Sequence, residues 1–141
     1  MILADVAGRL GALPDIATWL EGLPTGGDVA VVAGAEPFLL ALTQRPVVAV
    51  TATGRHAQDL QASLRDLGRR AAVFPAWETL PHERLSPTAE TVGRRMAVIA
   101  DVAAGTLPDV LLVPIRALMQ PFAADLTQER PLVLRAGGDD Y

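Results

Sequence analysis

The sequence contains no cysteine and no lysine, and each absence excludes a kind of chemistry. Without cysteine, the 141-residue chain has no disulfide, no thiolate metal site and no cysteine nucleophile. All twelve basic residues are arginine, so no ammonium side chain is present to hold a phosphate. The two histidines, His56 and His82, are too few for a histidine-rich metal site. We therefore expect this chain to have no metal site.

The sequence also lacks a long apolar run, a secretion signal and a positive charge surplus. No stretch approaches the roughly 20 apolar residues that a membrane-spanning helix needs. The formal net charge is −4, whereas a nucleic-acid-binding domain usually carries excess positive charge for its phosphate contacts. Half of the residues are apolar and a fifth are charged, which is typical of a globular domain. We expect a cytoplasmic location and no membrane contact. We also expect that this chain does not bind DNA by itself, unless through a local arginine cluster.

Short apolar runs alternate with helical patterns along most of the chain. Residues 2–22 read as one or two helices, interrupted at Gly11 and Pro14. Further on, the pattern predicts strands over residues 29–32, 47–51, 72–74, 110–113 and 132–134, with helices over residues 37–44, 55–67, 88–104 and 115–122. Such alternation predicts an α/β fold of three layers, with a mainly parallel sheet and helices on both faces. We divide the chain into a helical lead-in, residues 1–28, and an α/β domain, residues 29–141.

Local signals place the ends of two helices. Gly68 is suited to terminate the helix over residues 55–67. Ser86 is expected to cap the helix over residues 88–104, with Pro87 at its first position. The buried stripe of that helix is expected to comprise Met96, Ile99, Ala100 and Ala103.

The segment from residue 29 to residue 38 has the strand–turn–helix layout of a phosphate-binding P-loop without the chemistry of one. A P-loop needs several glycines, a lysine for the β and γ phosphates, and a Ser or Thr hydroxyl for Mg²⁺. Here Gly34 stands alone, and Ala35 and Phe38 supply no polar group. Glu36 adds negative charge, and Pro37 removes a backbone donor. We predict a degenerate, RecA-like nucleotide site that holds no cofactor and hydrolyses no ATP.

The most unusual segment is FPAWETLPHERLSP, residues 74–87. A candidate interaction loop within it comprises Trp77, Glu78, Leu80, Pro81, His82 and Arg84. An exposed Trp favours partner contact, but a Trp in such a segment more often packs a long loop onto the domain. The charged residues could form a polar recognition patch, but a solvated loop with local ion pairs is the simpler interpretation. Glu78 and Glu83 lack an accompanying nucleophile or metal ligand, so we predict no catalytic residue here.

Arg94 and Arg95 form the best candidate basic cluster, with Arg84 nearby. It could contact nucleic acid or an acidic partner, but an ordinary exposed helix face is the simpler interpretation. His56 follows Gly54 and Arg55 at an expected helix start and needs no functional explanation.

Segment 74–87, followed by ETVGRRMAVI, resembles the N-terminal module of Mfd, the bacterial transcription-repair coupling factor family. The stretches VVAVTATGRHAQDLQASL and DVLLVPIRALMQP fit the same family, and the resemblance spans roughly residues 29–135. The module is in turn similar to the first domain of UvrB, which has an intact P-loop where this chain has residues 34–38.

The resemblance implies that the chain is the first part of a larger multidomain protein and acts as a non-catalytic interaction and scaffold domain. The family's ATP- and Mg²⁺-dependent DNA translocase displaces stalled RNA polymerase and recruits UvrA for nucleotide excision repair. Its motor, polymerase-binding domain and main UvrA-contacting subdomain all follow the segment resembled here. The alternative is a stand-alone α/β module that binds a nucleotide or DNA.

Overall fold

A computed structural model describes residues 3–32, 34–79 and 86–121. The helices are α1 (Leu3–Gly11), α2 (Pro14–Gly22), a 3₁₀ turn (Leu23–Thr25), α3 (Glu36–Leu42), α4 (Gly54–Asp66), α5 (Ala89–Ala103) and α6 (Ile115–Leu118). The strands are β1 (Val47–Thr51), β2 (Ala71–Val73) and β3 (Val110–Pro114). Among these residues, no helix is both long and apolar enough to cross a membrane.

The described strands form a parallel sheet in the order β1-β3-β2, which confirms the predicted α/β class. Helix α4 leads from β1 past β3 to β2, whereas α5 leads back from β2 to β3. Right-handed crossovers that run in opposite directions place their helices on opposite faces of a sheet. The order of elements therefore sets α4 and α5 on either side of the strands.

The core lies between α4 and the sheet. Leu60 and Leu64 of α4 pack against Val110 and Leu112 of β3, and Ala57 completes this buried cluster. The helical pattern predicted for residues 55–67 is confirmed, because the buried residues of α4 recur at spacings of three and four. Gly68 ends the helix with a φ of +76°, a conformation that favours glycine, as predicted.

Several predicted boundaries are corrected. Residues 29–32 are not a strand, although their apolar run suggested one. Helix α6 ends at Leu118 rather than at residue 122. The cap of α5 is Thr88, whose hydroxyl accepts from the Thr91 amide at 3.3 Å, and not Ser86. The predicted strand over residues 132–134 lies outside the described residues.

The buried stripe of α5 also differs from the prediction. It comprises Thr91, Arg95 and Ile99, which are spaced four residues apart, whereas Ala103 is exposed. The stripe therefore includes an arginine that hydropathy alone assigns to the surface.

Candidate functional site

An open cleft of about 680 Å³ lies at the carboxyl ends of the strands, where α/β proteins usually bind ligands. The turn after β1 forms one wall: Thr51 donates from its hydroxyl to the Thr53 carbonyl at 3.0 Å. Thr53 in turn caps α4 by accepting from the His56 amide at 3.1 Å. The other walls come from the segment after β2, the first turns of α5, and the start of α6 after Pro114.

Arg95 organises the segment after β2 from inside the protein. Its side chain is 1% exposed and lies between two rings, with its guanidinium carbon 4.1 Å from the Phe74 ring centre and 4.2 Å from that of Trp77. Nη1 donates to the Pro75 carbonyl at 2.7 Å. No hydrogen-bond partner within the described residues reaches the buried Nη2. Burial lowers the pKa of Arg95, and stacking on two aromatic faces offsets part of the loss of hydration.

This placement corrects the predicted basic cluster. Arg95 is buried, so it does not form an exposed pair with Arg94. Arg94 is exposed and lies 3.6 Å from the carboxylate of Glu90, one helical turn away. Arg84 lies outside the described residues. The cleft therefore presents Arg94 and Arg116 rather than an Arg94–Arg95 cluster.

Trp77 is held by its backbone as well as by its ring. The side-chain amide of Gln120 accepts from the Trp77 amide at 2.8 Å and donates to the Trp77 carbonyl at 3.5 Å. This pairing joins the segment after β2 to the segment after α6. Trp77 is half-buried, which favours the anchoring interpretation of this residue over an exposed contact.

Glu78 joins the same segment to the first turn of α5. One carboxylate oxygen accepts from the hydroxyls of both Thr88 and Thr91. The hydrogen bond from Thr91, followed by that from Thr88, lowers the pKa of Glu78 from 4.5 to about 2, because both stabilise its charged form. Arg116 donates to the Glu78 carbonyl at 3.3 Å. Glu78 is exposed and anionic, so it presents negative charge beside two arginines in the cleft.

The turn at Gly34 is closed by a side chain of the same turn. Gly34 has a φ of +86°, and its amide donates to the Glu36 carboxylate at 3.2 Å. Pro37 lies at the start of α3, where it is buried and supplies no amide proton. The predicted strand–turn–helix layout is incomplete, because residues 29–32 form no strand. A backbone donor that a P-loop would direct at a phosphate instead bonds to a carboxylate.

The structure brings Trp77 and Glu78 of the predicted interaction loop together in the cleft with Arg94. The other residues of that predicted loop lie outside the described residues: Leu80, Pro81, His82 and Arg84. Their place in the prediction stays untested. Gln120, Thr88, Thr91 and Arg116 were not singled out from the sequence. Thr88 does carry a sequence signal, since threonine is among the residues preferred at the N-cap of a helix.

The cleft combines positive and negative side chains. In the described ranges, no three His, Asp or Glu side chains converge to hold a metal ion. Arg94, Arg116, Glu78 and Glu90 line the cleft together with threonine hydroxyls and the Trp77 ring. Such a mixed polar surface suits contact with a polar partner better than activation of a nucleophile.

Comparison with known proteins identifies relatives of about two thirds of the chain. No protein-family model matches the chain. It is 45% identical over 103 residues to the transcription-repair-coupling factors of Mycobacterium bovis and Mycobacterium tuberculosis. It is 30% identical over 97 residues to the transcription-repair-coupling factor of Haemophilus influenzae. Each match covers 68% of this chain and 8% of the relative. By sequence, the chain therefore belongs to the transcription-repair-coupling factor family, as a homologue of one segment of its members.

Proposed function

We propose that this chain is a non-catalytic interaction and scaffold module of a transcription-repair coupling factor, derived from a nucleotide-hydrolysing ancestor. The observation that carries the proposal is the bond from the Gly34 amide to the Glu36 carboxylate. It places negative charge at the position where a triphosphate would need donors and cations. The absence of lysine from the whole chain supports the same conclusion.

The activities of the complete protein would then reside in other parts of it. ATP and Mg²⁺ would serve a DNA translocase motor, and RNA polymerase and DNA would be bound through further domains in the cytoplasm. This segment would support contact with UvrA, mainly through the subdomain that follows it, and would pack against other domains of the same protein. The cleft around Trp77 and Glu78 is the surface that we assign to such contacts.

Thermal unfolding with and without millimolar ATP–Mg²⁺ tests the lack of a nucleotide site. A ligand present at 100 times its Kd would stabilise the chain by about 2.7 kcal/mol, so we expect no shift of the midpoint. Glu36→Gln is the informative variant, because it removes the charge and keeps the shape of the side chain. A nucleotide-dependent shift in the unmodified chain would refute the proposed loss of the phosphate site.

Binding to purified UvrA tests the recruitment role. We expect weak or no binding by the 141-residue chain and clear binding by a version extended past Tyr141, measured by calorimetry. Equal, tight binding by both would place the UvrA surface within this chain and contradict our assignment. A steep dependence of DNA affinity on salt would instead favour the alternative of a direct DNA-binding module.

A further inference from the structure

The charged groups of the cleft differ in how far the protein itself satisfies them. The carboxylate of Glu78 is held from within, because one of its oxygens accepts from the hydroxyls of Thr88 and Thr91. Those two hydrogen bonds stabilise the negative charge before any partner arrives. The arginines of the cleft have no comparable set of acceptors among the described residues. The unused bonding capacity of the cleft is therefore mainly that of donors.

Arg116 has the largest share of these unused donors. It is exposed and lies in the first turn of α6, directly after the end of β3, so the backbone places it at the cleft. A guanidinium carries five N–H donors. In the part of the chain that the structure describes, one of them is used, in the hydrogen bond from Nη2 to the Glu78 carbonyl at 3.3 Å. Most donors of Arg116 are therefore open to a ligand.

Arg94 supplies a second set of donors from α5. Its side chain is 56% exposed, and its ion pair with Glu90 spans 3.6 Å, which is too long for a hydrogen bond. The side chain of Glu90 is 78% exposed, and an exposed pair of this kind contributes little to stability. An incoming acceptor can therefore replace Glu90 as the partner of Arg94 at small cost.

The distribution of charge favours a single carboxylate as the incoming group. Guanidinium groups bind both carboxylates and phosphates through two parallel hydrogen bonds. A nucleic-acid strand, however, would bring a row of phosphates past Glu78 and Glu90, on a chain whose formal net charge is −4. Like charges oppose such a polyanion, whereas one carboxylate can lie at the arginines alone. The cleft of about 680 Å³ falls in the size range of pockets that enclose small molecules, so side chains of a peptide fit within it.

We propose that the cleft is the docking site for an acidic segment of a protein partner. Arg116 is the main anchor for an Asp or Glu carboxylate of that segment, and Arg94 is the second. An apolar side chain next to the carboxylate packs on the part of Trp77 that lines the cleft, as arginine and tryptophan commonly act together at the centre of an interface. The inference rests on the proposed function, because it specifies the partner chemistry of the surface already assigned to contacts.

NMR titration of the 141-residue chain tests this docking. The probe is the acetylated and amidated peptide Gly-Glu-Leu-Glu-Gly, and its matched control is Gly-Gln-Leu-Gln-Gly. We expect the acidic peptide to cause saturable shifts of the Nε–Hε signals of Arg116 and Arg94, and the control peptide to cause none. Arg45, which is exposed just before β1 at the opposite end of the sheet, should not respond to either peptide.

One pair of variants assigns the binding to the cleft. Arg116→Gln should raise the Kd of the acidic peptide at least about 10-fold, the factor expected for the loss of a charge-assisted hydrogen bond. Arg45→Gln removes the same charge elsewhere and should change the Kd less than about 2-fold. Equal affinities in the two variants would overturn the proposal. Equal binding of the two peptides, or no saturable shift at millimolar acidic peptide, would overturn it as well.

A single-stranded oligonucleotide separates the two sources of anionic groups. If it shifts the Arg116 and Arg94 signals at a lower concentration than the acidic peptide does, the cleft prefers phosphates and the proposal is wrong. We expect the reverse order. None of these results decides the proposed function, because UvrA binding by the extended chain and the lack of a nucleotide site are measured separately.

Discussion

The carboxyl end of the sheet and the outer edge of β1 differ in two respects: how far their polar groups are hydrogen-bonded, and how far their apolar side chains are buried. At the carboxyl end, Arg95, Gln120 and Glu78 join the segment after β2 to α5 and to the segment after α6. At the outer edge, Val48 and Val50 keep exposed side chains and outward amides. Two parts of one small sheet can differ in this way because side-chain hydrogen bonds, rather than the strands themselves, satisfy the polar groups around the cleft.

The largest expected effect contrasts the core with the open face. Leu112 is fully buried between the sheet and α4, so Leu112→Ala should lower the free energy of unfolding by about 2–5 kcal/mol. Val48→Ala should change it by less than about 0.5 kcal/mol in this chain, because the side chain is exposed. Urea denaturation measures both. A large cost for Val48→Ala in the 141-residue chain would show that its face is already covered.

The next effect contrasts two neighbouring arginines. Arg95→Ala should cost about 3 kcal/mol, because it removes a buried charged hydrogen bond and two ring contacts. The control, Arg94→Ala, should cost less than about 0.5 kcal/mol, since an exposed ion pair contributes little. Tryptophan fluorescence during urea unfolding, recorded with Trp19→Phe in both variants so that Trp77 alone emits, reports both global stability and the state of the ring contact. Similar free energies for the two variants would mean that Arg95 does not hold the segment after β2.

The smallest effect concerns pH. The pKa of Glu78 is lowered to about 2, so its contribution to stability is fully present above its unfolded-state value near 4.5 and is lost as the pH falls toward 2. Thr91→Val removes the main donor and should raise the Glu78 pKa, as measured by NMR titration of its carboxyl carbon. Thr18→Val, a distant substitution of the same kind, should leave it unchanged. An unshifted Glu78 in Thr91→Val would show that this hydroxyl does not set the pKa.

The sequence predicted those features that depend on local pattern. Strand β1 has the predicted bounds, and α4 lies within one residue of its predicted range, because a run of valines and a clear heptad-like spacing are local signals. Gly68 and Pro14 were placed correctly for the same reason. The family was predicted from the motif around Trp77, and the comparisons confirm it.

The features that were missed depend on distant partners. Residues 29–32 have the composition of a strand, but a strand exists only where a neighbour bonds to it. The burial of Arg95 depends on two rings contributed by another segment, and hydropathy assigns no such partner to an arginine. Its spacing of four residues from Thr91 and Ile99 was the available signal. The position of the cleft follows from the topology of the sheet. The hydrogen bonds between Gln120 and Trp77 could not be predicted, since no local pattern links the two residues.

The contact between Gly34 and Glu36 bears on how the proposed loss of a phosphate site could be reversed. A lysine introduced into the turn would meet a carboxylate first and would pair with it rather than with a nucleotide. Pro37 would still withhold a backbone donor. Several simultaneous replacements would be needed, none of which is useful alone. Under the proposed function, no single substitution in this turn would restore a phosphate site.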